Sequence, residues 1–194
     1  MRFIWLLAPL LAVLWWFRGT SHPPGILVPE EPQQSAASGV ADWDREGFRI
    51  HPLAYYSIRA RLLGKESYWI DSGAKLAPVD LGVGWGPLSD SAVLDELSWA
   101  QGNRFFEWRV PTDKMPLPFN DINSHTANMH IVPATPEVMD AIRWTRTGSI
   151  IQMSGYLIEA THPQGVKPWR SSLTRTDTGS GACELMWVEK FSRE

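Results

Sequence analysis

Trp169 to Phe191, WRSSLTRTDTGSGACELMWVEKF, decides how this chain is read. Two apolar-bearing runs, Trp169 to Leu173 and Cys183 to Phe191, flank Asp177, Gly179, Ser180 and Gly181, the residue types that reverse a chain. The pattern predicts a hairpin with a loose connection. Just upstream, Ser149 to Ala160 reads as a further strand, so the last third supplies three neighbouring strands, enough for one face of a core.

Working outward, Tyr56, Ile58, Ala60 and Leu62 alternate with Ser57, Arg59 and Arg61, the period of a half-buried strand. Gly64, Lys65 and Glu66 are expected to turn the chain into a short return strand, Tyr68 to Ile70. In KLAPVDLGVGWGPLSD the glycines at 82, 84 and 86 leave room for a backbone or ring, Trp85 for example, to lie across a strand. They do not make a phosphate loop, since no lysine follows at the required spacing. Arg104 to Val110 alternates again, and Pro111, Pro116 and Pro118 make the next segment a loop. Two short helices are expected. One is Ser91 to Leu97, capped by Ser89 or Asp90. The other begins at Thr135 with Pro136 and Glu137 in its first turn and ends near Trp144.

The reading is a mostly-β domain, a barrel or strongly bent antiparallel sheet with two short helices, after an N-terminal membrane segment. Gly148 to Val188, with Gly155 inside its first strand, is similar to one edge of OB-type barrels, where a glycine relieves crowding as the strand coils. Together with GWGPLSD and SSLTRTDTGSGACE, the chain also resembles a bacterial family of membrane-anchored exported proteins, a resemblance that brings no activity with it.

The start of the chain sets the expected address. Phe3 to Phe17 is uncharged and strongly apolar, with Arg2 before it, Arg18 after it, and Trp15 and Trp16 where an interfacial belt would lie. Residues 1–18 are read as a signal-anchor. A cleaved signal would end in small residues, and Gly19 and Ser21 make a poor site after bulky Phe17. Fifteen residues cover about 22 Å as a helix against a hydrocarbon core of about 30 Å, so the flanks must snorkel. Residues 19–45, with Pro23, Pro24, Pro29 and Pro32, read as a tether, and 46–194 as one domain. The expected location is the cell membrane, crossed once, with the domain on the extracytoplasmic, periplasm-like side.

Of 194 residues, 44% are hydrophobic and 11 are Trp, which fits an aromatic-heavy core more readily than an aromatic groove. Without Arg2 and Arg18 the balance is 16 basic against 21 acidic residues, so nucleic acid is not an expected partner. The single cysteine, Cys183, forbids a disulfide within the chain. Lying among alternating apolar residues beside Glu184, it reads as a small buried hydrophobe, not as a nucleophile served by His125 or His130.

Two clusters could carry chemistry. Ser171, Ser172, Thr174, Arg175 and Asp177 gather hydroxyls around an ion pair that could hold a carboxylate, a sugar or a peptide end, with Asn128 and Trp85 as further candidates for ligand or partner contact. The competing use of such residues is a self-satisfied turn. Asp121, His125 and His130 are close in sequence and could ligate a divalent metal in a hydrolase-like site, although a five-residue spacing puts the histidines on opposite sides of an extended chain. The expectation is a non-catalytic accessory or binding module without a cofactor, touching the membrane through residues 3–17 and a protein or envelope partner through its domain. The alternative is the metal-dependent hydrolase.

Overall fold

The computed structural model describes residues 19–164, 167–174 and 183–194. The membrane segment at 1–18 and the pair Arg175 and Asp177 lie outside the described residues, and no described helix is long and apolar enough to cross a membrane. The fold is mostly β, built on one bent sheet of eight strands.

The alternation around Tyr56 extends much further than expected. Strand β3, Phe48–Ser67, runs 20 residues, through Gly64 to Glu66 where a turn was read. Register shifts between Pro52 and Ala54 and between Leu62 and Gly64 bend it, so the glycine marks a bulge and not a reversal. One edge of β3 pairs in succession with β2 (Trp43–Arg45), β1 (Gln33–Ala36) and β4 (Val79–Gly84), while its other edge takes β8 (Ile150–Thr161). From β4 the ladder continues antiparallel to β7 (Thr126–Pro133), then parallel to β10 (Glu184–Arg193), which is antiparallel to β8. The pairings therefore run in a circuit, from β3 through β4, β7, β10 and β8 back to β3.

Period-two alternation sorts side chains between the two faces. Val79, Leu81 and Val83 of β4, Ala127, Met129 and Ile131 of β7, and Met186 and Val188 of β10 fill the concave interior. Val132, Ile158, Ala160 and Leu185 form a second, outer cluster with Trp43, Trp169 and Trp187. Aromatic mass thus works on both faces of the sheet, as the composition implies. Gly155 is needed where it stands, because a Cβ there would run into the Trp187 carbonyl of the neighbouring strand.

Several local expectations change. Trp169 and Arg170 form a two-residue strand, β9, and Glu184 onward forms β10, yet the two do not make a hairpin with each other. Each pairs with β8, because β10 gains a second full ladder by lying between β8 and β7; among the described residues the two runs are joined by a Ser172 N–H to Cys183 carbonyl bond and a Leu185 N–H to Ser171 Oγ bond, not by a strand ladder. Tyr68 to Ile70 is not a strand, and Trp69 and Ile70 are exposed. The Pro-rich loop contains a third helix: helices α1 (Ser91–Leu94), α2 (Phe119–Ser124) and α3 (Pro136–Arg143) stand where two were expected, Pro118 preceding α2 at its cap. Strand β6 (Phe105–Arg109) is where alternation placed it, but it is one arm of a hairpin with β5 (Ser98–Gly102).

Residues 19–45 are not a loose tether along their length. Val28 is fully buried in the interior cluster, the N–H groups of Leu27 and Val28 donate to Ser89 Oγ, and β1 and β2 add to β3. Prolines leave extended backbone free to offer the donors and acceptors that remain, and here the domain surface takes them.

Candidate functional site

Asp80 of β4 and His130 of β7 are directly opposed in the antiparallel register and project from the outer face, opposite to Leu81 and Met129. Both are buried, Asp80 completely. Asp80 Oδ1 lies 2.9 Å from His130 Nδ1, off the line of a good hydrogen bond, and accepts from Arg104 Nη1 at 2.9 Å. Its second oxygen has no hydrogen-bond partner among the described residues.

Arg104 arrives from the two-residue turn Asn103 and Arg104 between β5 and β6. Both residues have positive φ, 51° and 69°, the conformation of a primed hairpin turn. Glycine usually takes the second place in such a turn, so a side chain held there costs backbone energy that its contacts must offset. They are numerous. The guanidinium donates to both oxygens of Asp71 at 2.9 Å, to Asp80 and to the Ala77 carbonyl, and lies 3.7 Å from the Tyr68 ring centroid. Burial pushes the Asp71 carboxyl up, but the bonds and charge of Arg104 and the N–H groups of Gly73 and Ala74 outweigh it and hold the group below its ordinary value. Burial likewise pushes the Tyr68 phenol up.

Over this buried charge lies Trp169, tilted on His130 with centroids 5.0 Å apart and 5.5 Å from Arg104. These residues, with Phe105, Lys167, Arg170, Ser171 and Cys183, line an open cleft of about 620 Å³. Arg170 is paired with Glu159 at 2.7 Å. A second, smaller concavity on the other side of Arg104 includes Tyr68, exposed Trp69 and Ile70, and Asp71.

The residues singled out from sequence are dispersed. Ser171 lines the cleft, but its hydroxyl donates to the Ser172 carbonyl and accepts from the Leu185 N–H. Ser172 and Thr174 close their own turn, the hydroxyl of Ser172 bonding the Thr174 N–H and carbonyl. Asn128 sits beside the cleft and links its walls: Nδ2 donates to the Arg104 carbonyl and contacts Cys183 Sγ, while Oδ1 accepts from Gln101. Cys183 is half-buried at the foot of β10. Trp85 is completely buried, its indole N–H bonded to Glu31 at 3.0 Å, and is not a surface for a ligand.

The three metal candidates do not converge. His125 caps α2, its Nδ1 at 2.8 Å from the Asp121 carbonyl and its Nε2 at 3.4 Å from Glu31, whereas His130 faces Asp80. Among the described residues no group of three His, Cys, Asp or Glu side chains could hold a metal ion. Sequence reading missed Asp80, Arg104 and Lys167. Gly102 and Asn103 carried a hairpin-turn signal that would have put Arg104 at a tip, but nothing in the sequence says which strands that tip lies over. Comparison with family models, with curated proteins and with solved structures finds no match for this chain.

Proposed function

We propose that the chain is a non-catalytic binding module, anchored by residues 3–17 with its domain on the extracytoplasmic side, which holds a protein or envelope partner in the cleft between Arg104, His130 and Trp169. The observation that carries this reading is a built concavity: a fully buried carboxylate holds an arginine and faces a histidine beneath an aromatic wall, and the cleft above them is open. Binding is favoured over turnover because the polar groups at its edge are already engaged, Ser171 by backbone and Arg104 by two carboxylates. The OB-type barrel belongs to the same proposal. What supports it is the pairing circuit, with its parallel β7 and β10 step and α3 placed between β7 and β8.

The test is photocrosslinking in cells with the full chain. A benzophenone residue in place of Phe105, at the cleft, should capture a discrete envelope protein or component, whereas one in place of exposed Lys190 should not. Equal capture from both positions, or none from Phe105, overturns the reading. Release of the full chain from membranes by alkaline wash would remove the anchor.

A further inference from the structure

We infer that the cleft receives a single carboxylate borne on an apolar or aromatic body. The inference rests on the binding reading above and names the ligand for that site. Its first support is the sign of the wall. Among the described lining residues the ionisable groups are Arg104, Lys167, Arg170, His130 and Cys183, and none is a carboxylate. That is unusual in a domain with more acidic than basic residues. The acids that balance these cations stand behind them: Asp80 is completely buried, and Asp71 and Glu159 hold Arg104 and Arg170 from outside the cleft. A ligand therefore meets the positive ends of oriented pairs. Lys167 has no ion-pair partner among the described residues, and His130 Nε2 has no hydrogen-bond partner among them.

The charge sum decides between one negative charge and two. Among the described residues Arg104, Lys167 and Arg170 are matched by Asp71, Asp80 and Glu159, so this set of groups carries no excess positive charge to meet a second negative one. That suits a carboxylate and leaves a phosphate group, with about −1.5 to −2 charges, under-compensated. The second support is the apolar side of the same cleft. Trp169, Pro168 and half-exposed Phe105 give a ligand body a surface to lie on, and about 620 Å³ is more than a lone carboxylate fills. A chain terminus ending in an apolar residue and a free aromatic acid share this chemistry.

The experiment is calorimetric titration of the full chain in nanodiscs with N-acetylphenylalanine, its amide and phenyl phosphate. The acid should bind about tenfold more tightly than the amide, as a charge-assisted contact commonly gives, and more tightly than the phosphate. Lys167→Met, at an exposed position the fold tolerates, should bring the acid down to the level of the amide, and Phe105→Ala should weaken both. N-acetyl-Gly-Gly-Phe binding above N-acetylphenylalanine assigns the carboxylate to a chain end, and the reverse order to a free acid; both outcomes support the inference. Equal binding of acid and amide, tighter binding of the phosphate, or indifference to Lys167→Met overturns it while leaving the binding module standing. If no probe binds, the inference falls, and crosslinking from position 105 decides separately whether the module falls with it.

Discussion

Arg104 holds a backbone conformation that an L side chain adopts at a cost of about 1–2 kcal/mol, and it does so with its guanidinium less than one-fifth exposed. Two effects compete in Arg104→Gly. Glycine relieves the backbone, but removing one partner of a buried ion pair typically costs about 3–5 kcal/mol because the carboxylate left behind is uncompensated. The second is larger. Arg104→Gly should lower stability by about 2–3 kcal/mol, read as a shift of the urea midpoint, and Asp80→Asn in the same chain should recover part of the loss. If Arg104→Gly alone is neutral or stabilising, the ion cluster does not hold the hairpin tip.

At the scale of elements, β3 illustrates how a helix can be finished by a strand. The Lys65 ammonium donates to the carbonyls of Ile142 and Arg143, in the last turn of α3, and of Thr145 just beyond it, where the helix has run out of N–H donors. Lys65→Met keeps the apolar stem and removes the cap, so a loss of about 1–2 kcal/mol is expected, with faster amide exchange in α3 than in β7. Uniform loss of protection across both elements would contradict a local capping role. The cap was not legible in the sequence, where Lys65 beside Gly64 has the composition of a turn. Alternation and apolar runs point to strands at part of β3 and at β6, β8 and β10, because such patterns are local; β4 reads only as a glycine-rich stretch. Partners are not local. The need for a small residue at Gly82 was readable, but the ring that fills the space belongs to Phe106, stacked on Trp99 in the folded-over hairpin, and not to Trp85. The site fared in the same way: His130 was picked out as a residue, while Asp80 and Arg104 are its neighbours only through strand register and a hairpin tip.

For the whole molecule, the N-terminal stretch 19–45 is held to the domain by apolar burial, by backbone and hydroxyl hydrogen bonds and by carboxylates, and these respond differently to acid. Val28 is buried with the interior cluster, which contains no carboxylate or imidazole to protonate in acid. Carboxylates hold further points along the stretch. Hydrogen bonds from the Gly25 and Ala92 N–H groups keep Asp90 below its ordinary value; the bond from His51 does the same for Asp42. Arg59, which donates to the Leu27 carbonyl and reaches Glu30, lowers Glu194. A carboxylate with a lowered folded value stabilises the fold fully above its unfolded value and loses that contribution as pH falls through the folded one. The stretch should therefore loosen below about pH 4, where ordinary carboxylates protonate, while the ladder between β3 and β8 persists. Hydrogen exchange read at the Gly25 amide against amides of β8 checks this, the first losing protection before the second as the pH is lowered. Asp90→Asn keeps an acceptor for both N–H groups and removes the titration, so the acid step at Gly25 should flatten in that variant. Simultaneous loss at both places, or an unchanged step in Asp90→Asn, would mean that Val28 burial and the backbone pairings, not carboxylates, fasten the N-terminal stretch to the sheet.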